Sequence, residues 1–566
     1  MEFIFGTAMA LTLMSTSWSS SVMVNSSTTQ TLQGLFLAQN INPDIYEFQG
    51  NLQRKIPDSN EVDIFTKIAE INKRLGSSKS FVEYGDIATG NSKNAIKCLR
   101  GPKSCLWPRS RDGNVYIPYT LDTYFTKEQQ KTIYDAMQEF DDLTCIKFIY
   151  RRHQMNYIKI IAGDGCWSNI GYNRRIQVTS LQRYGCTIRG IIQHELLHTI
   201  GFNHEQNRSD RDTYVTILFD KIIKEARYNF LKLNTNNLGM PYDYNSVMHY
   251  GRYAFSKDGQ SSTIVPKPDS QAVIGQRFGL STLDVNKVNK LYNCNKCGGL
   301  LMEDNGLLNS PGFPQLYPNN LNCKWLIRTP DYSNQIFLQF TTFQVEQFTN
   351  CYSDHVVIYD GDNSLSHVLD GPNCGAENPA VISSGAALLV EFFTSRSQRA
   401  QGFSAKFEFV ECGSTKTNKK DEVDFRAWKN DGTELKCVWV LLVPRAFKIV
   451  LTLTMVNLDT TQNCENSYLA IYDTAAIPAK PFAKYCESLD APITFTSTGR
   501  TVVIELAHVQ ANLGWGFSAE YKSIKNKNPP TVITYMSGGN CQNSFAVVPP
   551  ILLTSAILYF CIFPYF

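Results

Sequence analysis

Surplus charge is scarce in this sequence. Its 54 Lys and Arg face 51 Asp and Glu, a net charge of +3 spread over 566 residues. So weak a balance makes no basic field, and nucleic acid is set aside as a partner. Uninterrupted hydrophobic runs are short as well. Phe3 to Met14 falls short of a bilayer span, and the apolar stretch from Phe545 to Phe566 is broken by Pro549 and Pro550 with no basic cluster after it. Histidine is the rarest polar side chain, at eight in the whole chain. What remains is ordinary for globular protein: 43% hydrophobic and 19% charged residues. A chain this long exceeds one hydrophobic core, so three or four domains are expected.

The two ends set the compartment. Residues 1–19 combine the Phe3–Met14 run with small residues at Ser17 and Ser19, which reads as a secretory signal, although Glu2 stands where Lys or Arg is usual. Secretion places the 16 cysteines in an oxidising compartment, where disulfides form. The sequons at Asn25 and Asn207 are compatible with that. Small residues at Ser537, Gly538 and Gly539 before the apolar tail fit a GPI-anchor signal within residues 525–566. A membrane span and a tail that anchors nothing are the competing readings.

Between the ends the texture changes twice. Residues 20–57 are rich in Ser, Thr, Asn and Gln without periodicity and are expected to be mostly disordered. Asp58 and Glu61 resemble a capping box before Ile64, Ile68, Ile71 and Leu75 at helical spacing, with Gly76 as a stop. From Asn94 to Cys294 strands such as VYIPYTL and YIKIIAG alternate with helices, including one over Glu128–Leu143 that puts Ile133, Met137 and Phe140 on one face. Beyond Cys294 helical periodicity is missing, and short alternating strands run to about residue 524.

That second half repeats itself. Cys297, Cys323, Cys351 and Cys374 recur as Cys412, Cys437, Cys464 and Cys486, at offsets of 115, 114, 113 and 112. Three landmarks keep step: CKW with CVW, VIYD with AIYD, and GFSAK with GFSAE. Two all-β modules follow, 297–411 and 412–524. Within each, the simplest pairing joins the first cysteine to the second and the third to the fourth (Cys297–Cys323, Cys351–Cys374, Cys412–Cys437, Cys464–Cys486), one of three connectivities that four cysteines allow.

The rare histidines concentrate in HELLHTIGFNHEQNRSDRDTYV, residues 194–215. On a helix, His194 and His198 lie one turn apart on one face, which suits two ligands of a single zinc ion. Glu195 sits beside the first as a general base that is not itself a ligand. Gly201 permits a sharp turn after the helix, and the returning chain brings His204 to a third position. Three neutral imidazoles leave zinc its full charge and an open position, where the pKa of water falls from about 15.7 towards about 7. Peptide hydrolysis is the reaction class these residues point to, with Glu195 moving the proton and zinc stabilising the oxyanion.

Through HExxHxxGxxH and its continuation at Glu205, Arg208, Asp210, Arg211, Asp212, Tyr214 and Val215, the sequence resembles the astacin family of metzincin zinc endopeptidases. The resemblance implies that SVMHY at 246–250 is the Met-turn, with Met248 as an apolar floor and Tyr250 as a displaceable zinc ligand that helps hold the oxyanion. It also implies disulfides Cys145–Cys294 and Cys166–Cys186. An additional loop, Cys98–Cys105, is similar to the vertebrate hatching-enzyme branch. A propeptide over 20–93 is implied, in which FVEYGDIA supplies Asp86 as an aspartate switch on the zinc. Activation by a trypsin-like protease after Lys93 would free Asn94, whose amino group is expected near Glu205.

The repeated modules look like CUB domains, β-sandwiches used for protein recognition. Many of these bind calcium. Glu346 and Asp354 match the ligand pattern in the first module, but Arg396 occupies a later ligand position, where it would repel the ion and pair with Asp354 instead. The second module has Ser467 at the aspartate position and lacks the SPGFP turn. Calcium in the first module is therefore disfavoured and in the second not expected.

The expected fold is α+β, a metzincin-like peptidase domain over 94–296 followed by two β-sandwiches. The expected function is that of a secreted or surface-anchored zymogen hydrolysing extracellular proteins. A peptidase followed by two CUB modules with no EGF-like segment between them resembles amphibian hatching enzymes, so egg-envelope glycoprotein is the implied substrate class. The alternatives are a protease that processes matrix or growth-factor precursors, and a non-enzymatic adhesion protein built on an inactive protease scaffold.

Overall fold

The computed structural model describes residues 64–73, 82–88 and 104–527, apart from breaks at 277, 331–333, 397, 427–434, 459–463, 465–466, 474–480, 490 and 509–514. The signal and tail, the Asp58–Glu61 box, Gly76, Lys93, Asn94, Cys98 and Asn25 lie outside the described residues.

A seven-stranded sheet organises the first domain, in the order β1-β2-β6-β7-β5-β3-β4. Its strands are β1 (Val82–Glu83), β2 (Ile87–Ala88), β3 (Val115–Leu121), β4 (Ile146–Tyr150), β5 (Ile158–Ile161), β6 (Cys166–Asn169) and β7 (Gln177–Leu181). Strands β3 and β4 are parallel neighbours and so need a crossover, which α2 (Lys127–Leu143) supplies. Thr126 caps α2 in a complete capping box with Gln129, and Ile133, Met137 and Phe140 bury the face that the periodicity predicts. Helix α1 (Ile64–Asn72) precedes the sheet, and α3 (Arg189–Thr199), β8 (Val215–Ile217), β9 (Ile264–Pro266) and α4 (Thr282–Tyr292) follow it. Every residue of α3 from Gly190 to Thr199 is buried. A helix enclosed on all sides is held by tertiary packing, which suits one that carries a metal site.

The two β modules share one topology. The first pairs a five-stranded sheet, β10 (Gly298–Leu301), β12 (Asn322–Arg328), β17 (Ala387–Phe393), β14 (His355–Asp360) and β15 (His367–Asn373), with a four-stranded sheet, β11 (Asn305–Asn309), β18 (Gly402–Val410), β13 (Gln335–Gln344) and β16 (Ala380–Ile382). In the second, β19 (Cys412–Lys416), β21 (Leu435–Leu442), β26 (Thr501–His508), β23 (Tyr468–Asp473) and β24 (Ala483–Tyr485), and β20 (Lys420–Arg426), β27 (Gly516–Lys525), β22 (Phe447–Asn457) and β25 (Ile493–Thr496), repeat both orders strand for strand. The cysteine repeat of the sequence is thus a repeat of fold. Trp325, Ile327, Val390 and Phe392 meet Leu338, Phe340, Phe403 and Ala405 between the first module's sheets, the inward alternation of a sandwich.

Neither module hangs free. Leu300, Leu326, Ala387 and Leu389 of the first belong to the same apolar cluster as Ile191, Ile192 and Leu280 of the peptidase domain. Ile382 and Val410 pack with Val438, Val440 and Val503 where the two modules meet, and Arg500 pairs with Asp370 at 3.0 Å across that joint. Disulfides join Cys145–Cys294, Cys166–Cys186, Cys297–Cys323, Cys351–Cys374, Cys412–Cys437 and Cys464–Cys486. Cys105 is disulfide-bonded too. Among the described residues no helix is long and apolar enough to cross a membrane.

Candidate metal centre

Helix α3 presents His194 and His198 one turn apart, and Gly201 ends it at φ +107°, a conformation that glycine adopts without strain. The reversal turns the Phe202 carbonyl back to accept from His198 Nδ1 at 2.7 Å. His204 follows in extended backbone, immediately before a 3-10 turn over Glu205–Asn207. His194 Nδ1 donates to the Val247 carbonyl at 2.8 Å, in the turn that carries the buried Met248. Two rings are therefore fixed in the tautomer that leaves Nε2 unprotonated and facing inward. Burial lowers the His204 imidazole to about 3, against the pull of Asp86, so that ring is neutral at physiological pH.

Asp86 completes the cluster. The β1–β2 hairpin pairs Val82 with Ala88 and Glu83 with Ile87, leaving Tyr84, Gly85 and Asp86 as its loop. Tyr84 and Gly85 both take positive φ, at 51° and 92°, and a Cβ on Gly85 would meet the Phe65 ring at 2.6 Å. This tight loop drives the Asp86 side chain into the histidines. Its Oδ2 lies 2.8 Å from His194 Nε2 and 3.2 Å from His204 Nε2, and its Oδ1 lies 3.3 Å from His198 Nε2. Burial alone would raise this carboxyl, and only positive charge on the histidine side, from ring protons or from a bound cation, holds it well below the ordinary range.

These donors fit a zinc ion. Their ligand atoms all lie within 4.8 Å of one another, and His194 Nε2 is 3.2 Å from His204 Nε2. A tetrahedral ion with nitrogen bonds of about 2.0–2.1 Å spaces its ligands about 3.3 Å apart. His198 Nε2 and Asp86 Oδ1 have no hydrogen-bond partner although fully buried, as expected of atoms that serve a cation. Glu195 is buried beside them with both carboxylate oxygens unpartnered. Burial, with the Asp86 charge added, raises its carboxyl well above the usual range. A carboxyl so placed, without a fixed ion-pair or hydrogen-bond partner, is suited to exchanging a proton rather than to serving as a structural anion.

Some groups the sequence singles out are engaged elsewhere. The Tyr250 hydroxyl donates to the Tyr84 carbonyl at 2.6 Å, and its ring lies 4.7 Å from that of His204. Glu205 Oε1 accepts from Lys287 at 2.8 Å, Arg208 at 3.0 Å and the Asp243 amide at 2.9 Å, so two cations already neutralise it. Arg396 donates to Asn320 and not to Asp354, whose oxygens accept from Tyr317 at 2.7 Å and the Ser395 amide at 2.8 Å. The expected Arg396–Asp354 pair is not formed. Asn207 carries one of the two sequons. It is buried, and its Nδ2 donates to the carbonyls of Asn229 and Leu231, so in the folded protein this sequon has no room for a glycan.

Phe65 is a residue that sequence periodicity passed over. Its ring stacks on Tyr250 at 3.5 Å and 15° and meets the His204 ring edge-on at 5.3 Å. Asn72, at the far end of α1, ties this helix to the sheet: it donates to the Gly85 and Cys166 carbonyls and accepts from the Cys166 amide. Strand β2 meanwhile pairs in parallel with β6, occupying that strand's edge.

Comparison with known proteins adds the following. Residues 104–293 match the Astacin peptidase family, and 297–407 and 412–521 each match the CUB domain. Embryonic protein UVS.2 of Xenopus laevis is 40% identical over 466 residues, 82% of this chain and 88% of that protein. An astacin-like metalloendopeptidase of Gallus gallus is 45% identical over 352 residues, 62% of this chain and 84% of its own. The low choriolytic enzyme of Oryzias latipes is 43% identical over 245 residues, 43% of this chain and 89% of its own.

Proposed function

The chain belongs to the astacin family of metalloendopeptidases and carries two CUB domains; from that premise we propose that it is a secreted zymogen whose His194, His198 and His204 hold zinc, whose Asp86 blocks it, and whose substrate is egg-envelope glycoprotein. One observation carries the reading: a propeptide carboxylate lies within 2.8–3.3 Å of three inward-facing Nε2 atoms, beside an unpartnered Glu195. A bound zinc supplies Lewis-acid chemistry that acidifies water and polarises a peptide carbonyl. Glu195 takes a proton from the attacking water on its carboxylate and returns it to the departing amine. Tyr250, once Tyr84 no longer holds its hydroxyl, donates a hydrogen bond to the oxygen on which charge develops.

Latency rests on the same contacts. Asp86 fills the position a nucleophile needs, and β2 lies along the β6 edge where an extended substrate would add as a strand. Disulfides throughout the described domains favour an oxidising, extracellular setting. The choice of egg envelope follows the choriolytic relative, which is named for action on a chorion. Cleavage after Lys93 by a trypsin-like enzyme is the proposed activating step.

The test uses the full-length precursor, trypsin-cleaved and assayed for zinc content, peptide hydrolysis and solubilisation of isolated egg envelopes, beside Glu195→Ala. One zinc per chain, with activity that appears on cleavage and vanishes in the variant, is expected. Properly cleaved, zinc-loaded protein that hydrolyses nothing would sink the enzymatic reading, and peptide hydrolysis without envelope solubilisation would sink the substrate.

A further inference from the structure

The CUB domains read naturally as substrate selectors, yet the first of them reaches into the catalytic framework. Arg328 ends β12 and is fully buried. Its Nη1 donates to Glu139 Oε1 on α2 at 2.9 Å, and its Nη2 donates to the Leu280 carbonyl. Glu139, also buried, gives its other oxygen to Gln193 Nε2 at 2.7 Å, and Gln193 Oε1 accepts from the Leu280 amide at 3.0 Å. Four hydrogen bonds close a ring through Arg328, Glu139, Gln193 and Leu280. The packing there is tight: a Cβ on Gly279 would meet Gln193 Oε1 at 2.5 Å.

Two paths lead from this ring to His194. Gln193 directly precedes it on α3. The second path runs through Leu280 into the cap of α4. Asp284 Oδ2 accepts from the Ser281 amide at 3.1 Å and the Val247 amide at 2.9 Å, and the Val247 carbonyl accepts from His194 Nδ1 at 2.8 Å. Lys324 reinforces the joint from the same strand by donating to Asp142 on α2 at 2.7 Å, and Arg189 at the start of α3 pairs with Asp362.

We propose that Arg328 is a positioning residue of the peptidase, supplied by the first CUB domain, which sets α3 and its metal-binding histidines through Glu139, Gln193 and Leu280. The inference rests on the assignment of His194, His198 and His204 as zinc ligands. It makes the first CUB domain part of the catalytic framework, so its loss should be felt by substrates too small to touch it.

The experiment uses the trypsin-activated full chain with a short fluorogenic peptide, and follows kcat, KM and the rate of zinc loss to dipicolinate well below the melting temperature. R328M keeps the apolar stem and leaves the buried Glu139 carboxylate with Arg189, 4.0 Å away, as its remaining cation. Supporting groups around metal ligands are worth roughly 10–100-fold, so R328M is expected to lower kcat and speed zinc loss about tenfold. KM should stay within about twofold, because the peptide's own contacts are untouched. R328M/E139Q should recover part of both losses, since it leaves no unpaired buried charge. R328K, which gives up the Leu280 bond and keeps the ion pair, should fall between R328M and wild type. Folded R328M with wild-type kcat and zinc retention would overturn the proposal, as would a loss that the double variant leaves unrelieved. If R328M does not fold, R328K decides, and wild-type rates in it overturn the proposal. Glu195→Ala alongside separates the failures: retained activity there would undo the site assignment itself, whereas an inactive Glu195→Ala beside a normal R328M would undo only the role of Arg328.

Discussion

Replacing Phe65 by alanine should unlock the precursor without altering the mature enzyme, because the proposed cleavage after Lys93 would remove residue 65 altogether. Only 1% of Phe65 is exposed, and its ring lies flat on Tyr250 at 3.5 Å. Emptying such a site costs about 3–5 kcal/mol. The Gly85 backbone and the Phe255 ring can close part of the gap, so the lower half of that range applies. At 1.4 kcal/mol per factor of ten, the population of undocked propeptide should rise about 10²–10³-fold until it saturates. The assay is hydrolysis of a fluorogenic peptide by uncut full-length precursor in the presence of a trypsin inhibitor, with gel electrophoresis to show that the propeptide is still attached. Asp86→Ala is the companion, since it removes the carboxylate and leaves the aromatic stack. Both precursors should show activity, and after cleavage both should match wild type. If Phe65→Ala stays as silent as wild type while Asp86→Ala is active, the aspartate alone maintains latency and the stack is only packing.

Three further outcomes are expected. Glu195→Ala should retain zinc, measured by metal analysis, while kcat falls about 10²–10⁴-fold, the range for loss of a general base. His249, fully buried with its imidazole lowered by burial to about 4, binds a proton in the unfolded chain before it does in the fold, so stability present above about pH 6.5 is lost as pH falls towards 4. That loss amounts to at most about 3 kcal/mol. Urea midpoints at pH 7, 5.5 and 4.5 should show a shallower decline in His249→Gln than in wild type, and parallel curves would refute the assignment. Finally, mass spectrometry of peptides from secreted protein should find Asn207 unmodified, and a glycan there would contradict its buried bonds to Asn229 and Leu231.

What could be read in the sequence had a short period or a fixed spacing. The metal-site histidines fall at offsets of four and six, within reach of one helix and one turn, so residue types and spacing alone gather them. The CUB repeat was legible because a subtraction of cysteine positions survives divergence of everything between them. Phe65 was missed because the helical face was drawn through Ile64, Ile68 and Ile71, and Phe65 stands one position off that stripe, aimed at Tyr250, 185 residues away. Arg328 and Glu139, 189 residues apart, carry no local signal whatever. An arginine at the end of a β-strand reads as solvent-facing until the neighbouring domain is in view. Asn207 differs in kind: a sequon is a three-residue pattern, whereas accessibility belongs to the fold.

The same helix is therefore braced from two sides by parts of the chain that lie outside the peptidase domain. Asp86, Phe65 and Asn72 hold its metal-facing side and the adjoining sheet edge, and the proposed cleavage after Lys93 would remove them. Arg328 holds it through Glu139 and Gln193 and stays. If activation removes the propeptide brace as proposed, the enzyme needs its remaining support already in place when it positions a water and a peptide, and a guanidinium buried between α2 and the Leu280 carbonyl is support that cleavage after Lys93 would leave in the chain. On this view the order of the domains has a physical reason. The module that follows Cys294 directly, with no spacer, is the one whose strand β12 must sit within hydrogen-bond reach of α2, and a flexible insertion between them would raise the entropic cost of closing that ring.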